Sequence, residues 1–321
     1  MQKLLPKSNL NEFLENLMTE YELIAPIKEK NTKFSIIKTS QDLKKLYLKK
    51  LTEVPVKQFF IPEKEPLLEF KSSKIKEIKI KIKKRIIFGL RKCDLNAIKV
   101  LDKVMYDKQY KDKRNKTILI GLFCENPDNS CFCNSMELES AEKLCDLFFY
   151  PDKNNYYISI CSEKGKQLVK NLKTASKTIK LQEKNTKTLK NKDIERNYRN
   201  KIWESDSEKC LSCSACTVYC PTCNCFDISD ELEINLKDGK RIRRQTSCQL
   251  KSFSRVAGGR VFRESRLSRF KHFIYHKLVY FKKQHDMYMC VGCGRCLRVC
   301  PTHIDWVKTI NLLQDTKEIR K

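Results

Sequence analysis

The chain has 321 residues and 17 cysteines, and its 66 Lys and Arg residues against 39 Asp and Glu residues give a formal net charge of +27. We find no apolar run long enough to span a bilayer, and no apolar signal-peptide core near the start. These features weigh against a membrane-spanning protein and against a disulfide-rich secreted one. We therefore expect a soluble cytoplasmic protein whose cysteines stay reduced, in an anaerobic setting.

The positive charge is carried largely by lysines spread along the chain. Such a charge can steer nucleic acid, an acidic partner subunit or an acidic electron carrier. The basic residues do not interleave with aromatic residues as in a nucleic-acid stacking surface, so we do not expect a nucleic-acid partner. Stretches such as 74–84 and 164–201 are typical of solvated, lysine-rich segments.

A strand, a helix and a second strand are predicted in the first half of the chain. Residues 74–84 alternate Lys and Ile like a strand with one solvated face, and they run into the apolar segment Ile86–Leu90. Asp94 is the predicted N-cap of an amphipathic helix that extends to about Asp107, and Thr117–Phe123 is a second apolar strand. This order predicts a right-handed parallel crossover.

Four cysteines follow these two strands. Cys93 comes after the first strand, Cys124 after the second, and Cys131 and Cys133 lie in the next loop. Because the carboxyl ends of parallel strands meet at one edge of a sheet, the four thiols are predicted to converge there. Our hypothesis is a third [4Fe-4S] cluster on these cysteines, with a zinc site of four cysteine ligands or buried, unligated cysteines as the alternatives.

Two copies of one cysteine spacing, Cys-x-x-Cys-x-x-Cys-x-x-x-Cys-Pro, dominate the last third of the chain. This is the run of bacterial ferredoxins with two [4Fe-4S] clusters, in which the fourth cysteine of each run ligates the other cluster. A zinc ribbon needs only pairs of ligands and does not explain the third cysteine. The predicted ligands are Cys210, Cys213, Cys216 and Cys300 for the first cluster, and Cys290, Cys293, Cys296 and Cys220 for the second.

Three further cysteines, Cys223, Cys225 and Cys248, lie between the two runs without an evident fourth ligand. We interpret them as packing or cluster-shielding residues, with a further metal site as the alternative. The same interval includes the basic segment 241–280. Its cations either face the clusters or an acidic partner, or they form a solvated helix surface.

The cysteines and the composition divide the chain into three predicted parts. Residues 1–163 are predicted to form an N-terminal α/β domain with a partly parallel sheet, which carries the third cluster site. Residues 164–203 are a Lys- and Asn-rich connection. Residues 204–321 are predicted to form a mostly helical domain that resembles a two-cluster ferredoxin.

Six blocks along the chain resemble one known family. They are, in order, Val54–Glu65, Phe88–Ile98, Gly121–Cys133, Cys220–Asp227, Val256–Gly259 and Cys290–Cys296. On these blocks the chain resembles the beta subunit of cytoplasmic nickel-iron sulfhydrogenases and the related A-type subunit of anaerobic sulfite reductase. The blocks span nearly the whole chain, so the resemblance is more specific than the ferredoxin run alone.

The resemblance implies an iron-sulfur electron-transfer subunit of a multisubunit oxidoreductase in anaerobic sulfur metabolism. In such a complex a gamma-type partner binds flavin and nicotinamide, and a catalytic partner holds nickel-iron or, in the sulfite reductase, siroheme. The sequence itself has no Gly-x-Gly-x-x-Gly after a strand, no phosphate loop and no Ser/His/Asp constellation. We therefore expect single-electron relay without a substrate site, with direct reduction of sulfur or polysulfide near Cys223 and Cys225 as the alternative.

Overall fold

A computed structural model of the chain describes residues 2–72 and 74–313, which group into two compact units. The described residues of the first unit lie within Met1–Val56, Ile82–Lys187 and Val291–Cys293. Those of the second unit lie within Lys57–Lys81, Thr188–Cys290 and Gly294–Lys321. This division differs from the predicted one, because 57–81 groups with the later part of the chain and 291–293 with the earlier part. Met1, Ser73 and 314–321, which belong to the predicted domains, lie outside the described residues.

The strands and helices are numbered in chain order. The strands are β1 (Gln2–Pro6), β2 (Glu22–Lys28), β3 (Thr32–Ile37), β4 (Lys64–Lys71), β5 (Lys74–Glu77), β6 (Arg85–Leu90), β7 (Thr117–Leu122), β8 (Leu147–Pro151), β9 (Asn155–Ile160), β10 (Lys173–Thr174), β11 (Phe226–Leu232) and β12 (Gly239–Gln245). The helices are α1 (Leu10–Met18), α2 (Ser40–Leu43), α3 (Lys92–Val104), α4 (Lys108–Asn115), α5 (Glu163–Leu168), α6 (Ile202–Lys209), α7 (Ala215–Val218), α8 (Arg266–Tyr275), α9 (Phe281–His285), α10 (Arg295–Arg298) and α11 (Trp306–Leu312). A π-helical segment, His276–Tyr280, joins α8 to α9.

The first unit is built on an eight-stranded sheet with the order β10-β1-β9-β8-β7-β6-β2-β3. Its inner pairs β2–β6, β6–β7 and β7–β8 are parallel, and the outer pairs are antiparallel. The predicted partly parallel sheet and the predicted strand-helix-strand crossover from β6 through α3 to β7 are therefore confirmed. In β6 and β7 every residue is buried, as expected of parallel strands that are covered on both faces.

Two local predictions in this region need correction. Residues 74–84 do not continue into β6, since β5 ends at Glu77 and pairs with β4 in the second unit. A strand buried on both faces cannot take in a lysine at every second position, so the alternating segment has to stay outside this sheet. The helix begins before Asp94, because Arg91 is its N-cap. Asp94 completes the capping box by accepting a hydrogen bond from the Arg91 N–H at 3.2 Å.

The second unit combines an antiparallel sheet with short helices. Its four strands have the order β11-β12-β4-β5, and β12 joins β4 through a β-bulge at Arg241 and Ile242. Glu65 on β4 and Arg243 on β12 form a buried ion pair. The ferredoxin-like part has short helices, α6 to α11, as expected, but it also contains the strands β11 and β12, which the prediction of a mostly helical domain did not include. No helix within 2–72 and 74–313 has both the length and the apolarity needed to cross a bilayer.

Gly121 of β7 is a packing constraint in the first unit. A Cβ atom there would lie 2.4 Å from a ring carbon of Phe148 on β8. Because the interior is close-packed, the ring or the strand would have to shift. We expect Gly121→Ala to lower the free energy of unfolding by about 1–3 kcal/mol, as measured by denaturant unfolding of the chain.

The matched control for this substitution is Gly258→Ala. A Cβ atom at Gly258 would meet no atom within 4 Å, so stability should remain near that of the wild type. Equal stability of the two variants would show that β7 and β8 are less tightly packed than the structure indicates.

Candidate iron-sulfur centres

One cavity in the second unit collects the four cysteines that were predicted for the first cluster. Cys210, Cys213 and Cys216 of the first run line it together with Cys300, the last cysteine of the second run. Cys296, a predicted ligand of the second cluster, lines the same cavity. The rest of its wall is largely apolar and includes Phe270, Phe273, Ile304 and Trp306. The cavity thus offers five cysteine sulfurs in apolar surroundings, and a [4Fe-4S] cluster requires four, so the residues present fit this cofactor.

The loop that presents the first three sulfurs has an unusual backbone. Ser212 and Ser214 have φ values of 52° and 69°, in the left-handed region that non-glycine residues rarely adopt. The second run has glycines at the same two positions, Gly292 and Gly294, with φ values of 64° and 69°. Short helices, α7 and α10, follow the two loops at equivalent positions. The two runs are therefore copies in conformation as well as in cysteine spacing.

Backbone N–H groups are directed at two of the cavity sulfurs. The Ser212 N–H donates to Cys210 Sγ and the Ile304 N–H donates to Cys300 Sγ, each at 3.4 Å. Burial, followed by the negative charge of Cys210, raises the pKa of the Cys216 thiol to about 12. Such a thiol loses its proton at neutral pH only when a cation binds, and iron would supply that cation.

Cys220, a predicted ligand of the second cluster, lies beside a buried lysine. Lys277 Nζ is 3.2 Å from Cys220 Sγ, 3.2 Å from Cys223 Sγ and 3.3 Å from Thr222 Oγ1. Burial alone would lower the pKa of Lys277, but the negative charges of Cys220 and Cys223 outweigh it and hold that pKa well above its usual value. Lys277 is therefore a fixed ammonium group among sulfur atoms.

A second buried lysine, Lys57, lies beside the same group of cysteines. Its Nζ donates to the backbone carbonyls of Thr217 and Cys223, each at 3.1 Å. Cys290 also interacts electrostatically with Lys277. The indole N–H of Trp306 donates to Cys296 Sγ at 3.4 Å. Three predicted sulfur ligands of the second unit thus have positive or hydrogen-bonding neighbours.

The fourth predicted ligand of this cluster, Cys293, belongs to the first unit. The segment Val291–Cys293 packs there in a buried group with Cys93, Cys131 and Leu51. The Cys131 thiol donates to the Cys293 carbonyl at 3.5 Å. Gly292 fits tightly against the loop of Cys133, because a Cβ atom at this position would lie 2.6 Å from Cys133 Cα.

The other N-terminal cysteines also form neighbouring pairs. Cys124 and Cys133 interact electrostatically with each other and with Glu183, and burial is the main cause that raises the pKa of both, to about 11 for Cys133. Asn185 Oδ1 lies 3.1 Å from Cys133 Sγ. Cys93 is the second residue of α3, where the helix dipole favours a thiolate. The structure thus places Cys93 with Cys131, and Cys124 with Cys133, beyond the carboxyl ends of β6 and β7.

Several neighbours of the sulfur atoms could not be predicted from the sequence. Lys57 lies about 150 residues before the first run, and Lys277 is one lysine of a basic segment, so neither carries a signal of burial next to cysteine. Among the residues that the structure describes, no three Cys, His, Asp or Glu side chains converge closely enough to hold a single metal ion. A cubane distributes its sulfur ligands over four separate irons, so it does not require that closeness.

Comparisons with known proteins agree with this chemistry. A family model described as "4Fe-4S dicluster domain" matches residues 209–304. The chain is 30% identical over 326 residues to the protein named "Sulfhydrogenase 2 subunit beta" of Pyrococcus furiosus, and the match covers 95% of this chain and 96% of that protein. No solved structure was found to match the chain. The resemblance predicted from the six blocks is confirmed: the chain is an iron-sulfur protein that belongs to the family of sulfhydrogenase beta subunits.

Proposed function

We propose that the chain relays single electrons within a multisubunit hydrogenase, between a flavin- and nicotinamide-binding subunit and a nickel-iron catalytic subunit. The observation that carries this proposal is the cavity of the second unit, where cysteines from both runs surround one space. A relay needs cofactors that change oxidation state without substrate chemistry, and [4Fe-4S] clusters meet that requirement. The name of the Pyrococcus furiosus relative favours a hydrogenase complex over a sulfite reductase complex.

The relay would contain three stations. Cys210, Cys213, Cys216 and Cys300 would hold the first cluster. Cys290, Cys293, Cys296 and Cys220 would hold the second. The third would be bound by Cys93, Cys124, Cys131 and Cys133, the thiols that lie beyond β6 and β7 in the first unit.

The second station would have the higher reduction potential of the two in the dicluster part. Reduction adds negative charge to a cluster, and a nearby ammonium group stabilises that charge. Lys277 bonds to Cys220 Sγ, and Lys57 is a second buried lysine beside Cys223, whose pKa burial lowers. The Cys210 and Cys300 sulfurs of the first station accept from neutral backbone N–H groups instead, and the nearby cation Arg266 donates to the Cys210 carbonyl rather than to a sulfur. Electrons would therefore rest preferentially on the cluster that Cys220 ligates.

The number of clusters can be counted directly. On anaerobically purified chain we expect about twelve iron and twelve sulfide per chain, and about eight iron after Cys93→Ser. Cys161→Ser, which changes a cysteine of the same unit that is not a proposed ligand, should leave about twelve. Iron and acid-labile sulfide analysis with reduced-state EPR would decide this. About eight iron in the wild type, unchanged by Cys93→Ser, would reject the third cluster and keep the relay of two.

The proposed effect of Lys277 on potential can be measured in the same protein. Lys277→Met should make one cluster at least about tenfold harder to reduce, which for a one-electron centre is a fall of about 59 mV in midpoint potential. Lys277→Gln, which keeps a hydrogen-bond donor without the charge, should lower the potential as well. An EPR-monitored redox titration would report both.

The matched control is Lys251→Met, which removes an exposed lysine of the same unit. Solvent screens its charge, so the midpoint potentials should not move. If Lys277→Met left every potential at the wild-type value with the iron content intact, the ammonium group would have no part in setting the order of electron flow.

A further inference from the structure

Two cysteines that the cluster assignments leave out, Cys225 and Cys248, lie together at one end of the β11–β12 ladder. Phe226 pairs with Gln245 in that ladder, and the Thr246 N–H donates to the Cys225 carbonyl at 3.0 Å. The chain that enters β11 therefore runs beside the chain that leaves β12. The thiols of Cys225 and Cys248 share a hydrogen bond with each other.

We propose that Cys225 and Cys248 form a redox-active cysteine pair, a two-electron dithiol-disulfide centre that reacts with small-molecule disulfides. It would be an activity of this chain in addition to the single-electron relay. The proposal rests on the proposed function in one respect only, since the clusters would supply the electrons that reduce the pair.

The two cysteines are unequal in a way that suits this chemistry. Cys225 is partly exposed, whereas Cys248 is 4% exposed. The hydrogen bond from Cys248 is the main cause that lowers the pKa of Cys225 to about 6, and the same bond raises the pKa of Cys248. Cys225 is thus an accessible thiolate at neutral pH, and Cys248 is a protected thiol beside it. Thiol-disulfide exchange uses this division between an attacking and a resolving cysteine.

The reaction balances with the groups present. The Cys225 thiolate attacks one sulfur of a disulfide RSSR, which forms a mixed disulfide and releases RS⁻. Cys248, after losing its proton, attacks Cys225 Sγ, which releases the second RS⁻ and leaves a Cys225–Cys248 disulfide. Two electrons, which the proposed clusters would supply one at a time, and one proton from solvent would restore the Cys225 thiolate and the Cys248 thiol. The proton that Cys248 lost and a second proton from solvent convert the two RS⁻ ions to thiols, so the net change is RSSR + 2e⁻ + 2H⁺ → 2RSH.

A contact between the pair and the first cluster site supports electron transfer to it. The Gln249 side-chain amide donates from Nε2 to Cys248 Sγ at 3.9 Å, and its Oε1 accepts from Cys210 Sγ at 4.0 Å. Gln249 also lines the cavity that contains Cys213 and Cys216. One side chain therefore joins the cysteine pair to a proposed cluster ligand within the second unit.

The placement of the pair also argues against its being part of a further cluster. Ligands of one cubane bind different irons, which hold their sulfur atoms apart, whereas Cys225 and Cys248 are close enough to share a hydrogen bond.

The test uses the full chain with its clusters, purified anaerobically and treated with oxidised glutathione. After alkylation of the remaining thiols, peptide mass spectrometry should find a Cys225–Cys248 disulfide in most chains. Cys248→Ser should trap glutathione on Cys225, and Cys225→Ser should slow glutathione release at least tenfold. Cys161→Ser, whose thiol hydrogen-bonds to Cys145 in the first unit, should leave the Cys225–Cys248 disulfide unchanged.

Iron content separates the two ideas. Wild-type chain that keeps its iron but forms no Cys225–Cys248 disulfide would overturn the cysteine pair and leave the relay standing. Loss of iron in Cys225→Ser and Cys248→Ser would show that these residues are cluster ligands, which also overturns the pair. Wild-type chain that forms the disulfide but contains no iron-sulfur clusters would overturn the proposed relay instead.

Discussion

Buried sulfur can carry negative charge only where positive charge or a hydrogen-bond donor lies beside it, and this requirement organises the second unit. Lys277 reaches Cys220 and Cys223 from the π-helical segment, and Lys57 lies close to the same sulfurs. The backbone N–H groups of Ser212 and Ile304 donate hydrogen bonds to the sulfurs of Cys210 and Cys300, respectively. A buried lysine without such partners would be neutral or would destabilise the fold. Lys277 and the cysteines beside it therefore stabilise each other's charges.

The presentation of three sulfurs from one short loop imposes a second constraint, which acts on the backbone of the two loops. A loop that directs three sulfurs at one cofactor has to turn sharply twice within a short segment, and both turns use the left-handed region. Glycine adopts this region without strain at 292 and 294, whereas Ser212 and Ser214 adopt it at a cost in backbone energy. Strain of this kind persists where the surrounding structure fixes it, as the helix that follows each loop does here.

Features whose signal lies within short stretches of the sequence were predictable. The cysteine spacing groups Cys210, Cys213, Cys216 and Cys300, and all four line one cavity. The apolar runs of β6 and β7 predicted a parallel pair of strands, and the two strands pair in parallel. Features that depend on distant partners were not. The pairing of β4 with β12 joins segments about 175 residues apart, and its signal is divided between two ordinary stretches. The lysines beside the sulfurs have no pattern at all, because burial of a charge is decided by the folded environment.

The path of the chain between the units has a consequence for dissecting this protein into parts. Residues 57–81 leave the N-terminal region, supply β4, β5 and Lys57 to the second unit, and then return to begin β6. A fragment cut at residue 204 would keep all eight ferredoxin-type cysteines. It would nevertheless expose the edge of β12 that β4 covers, and it would lack one of the two buried lysines near Cys223. During synthesis β4 is made early, but the second unit cannot complete its fold until the last part of the chain has been made. The ferredoxin-like part is thus a module in its sequence motif but not a separable piece of the chain.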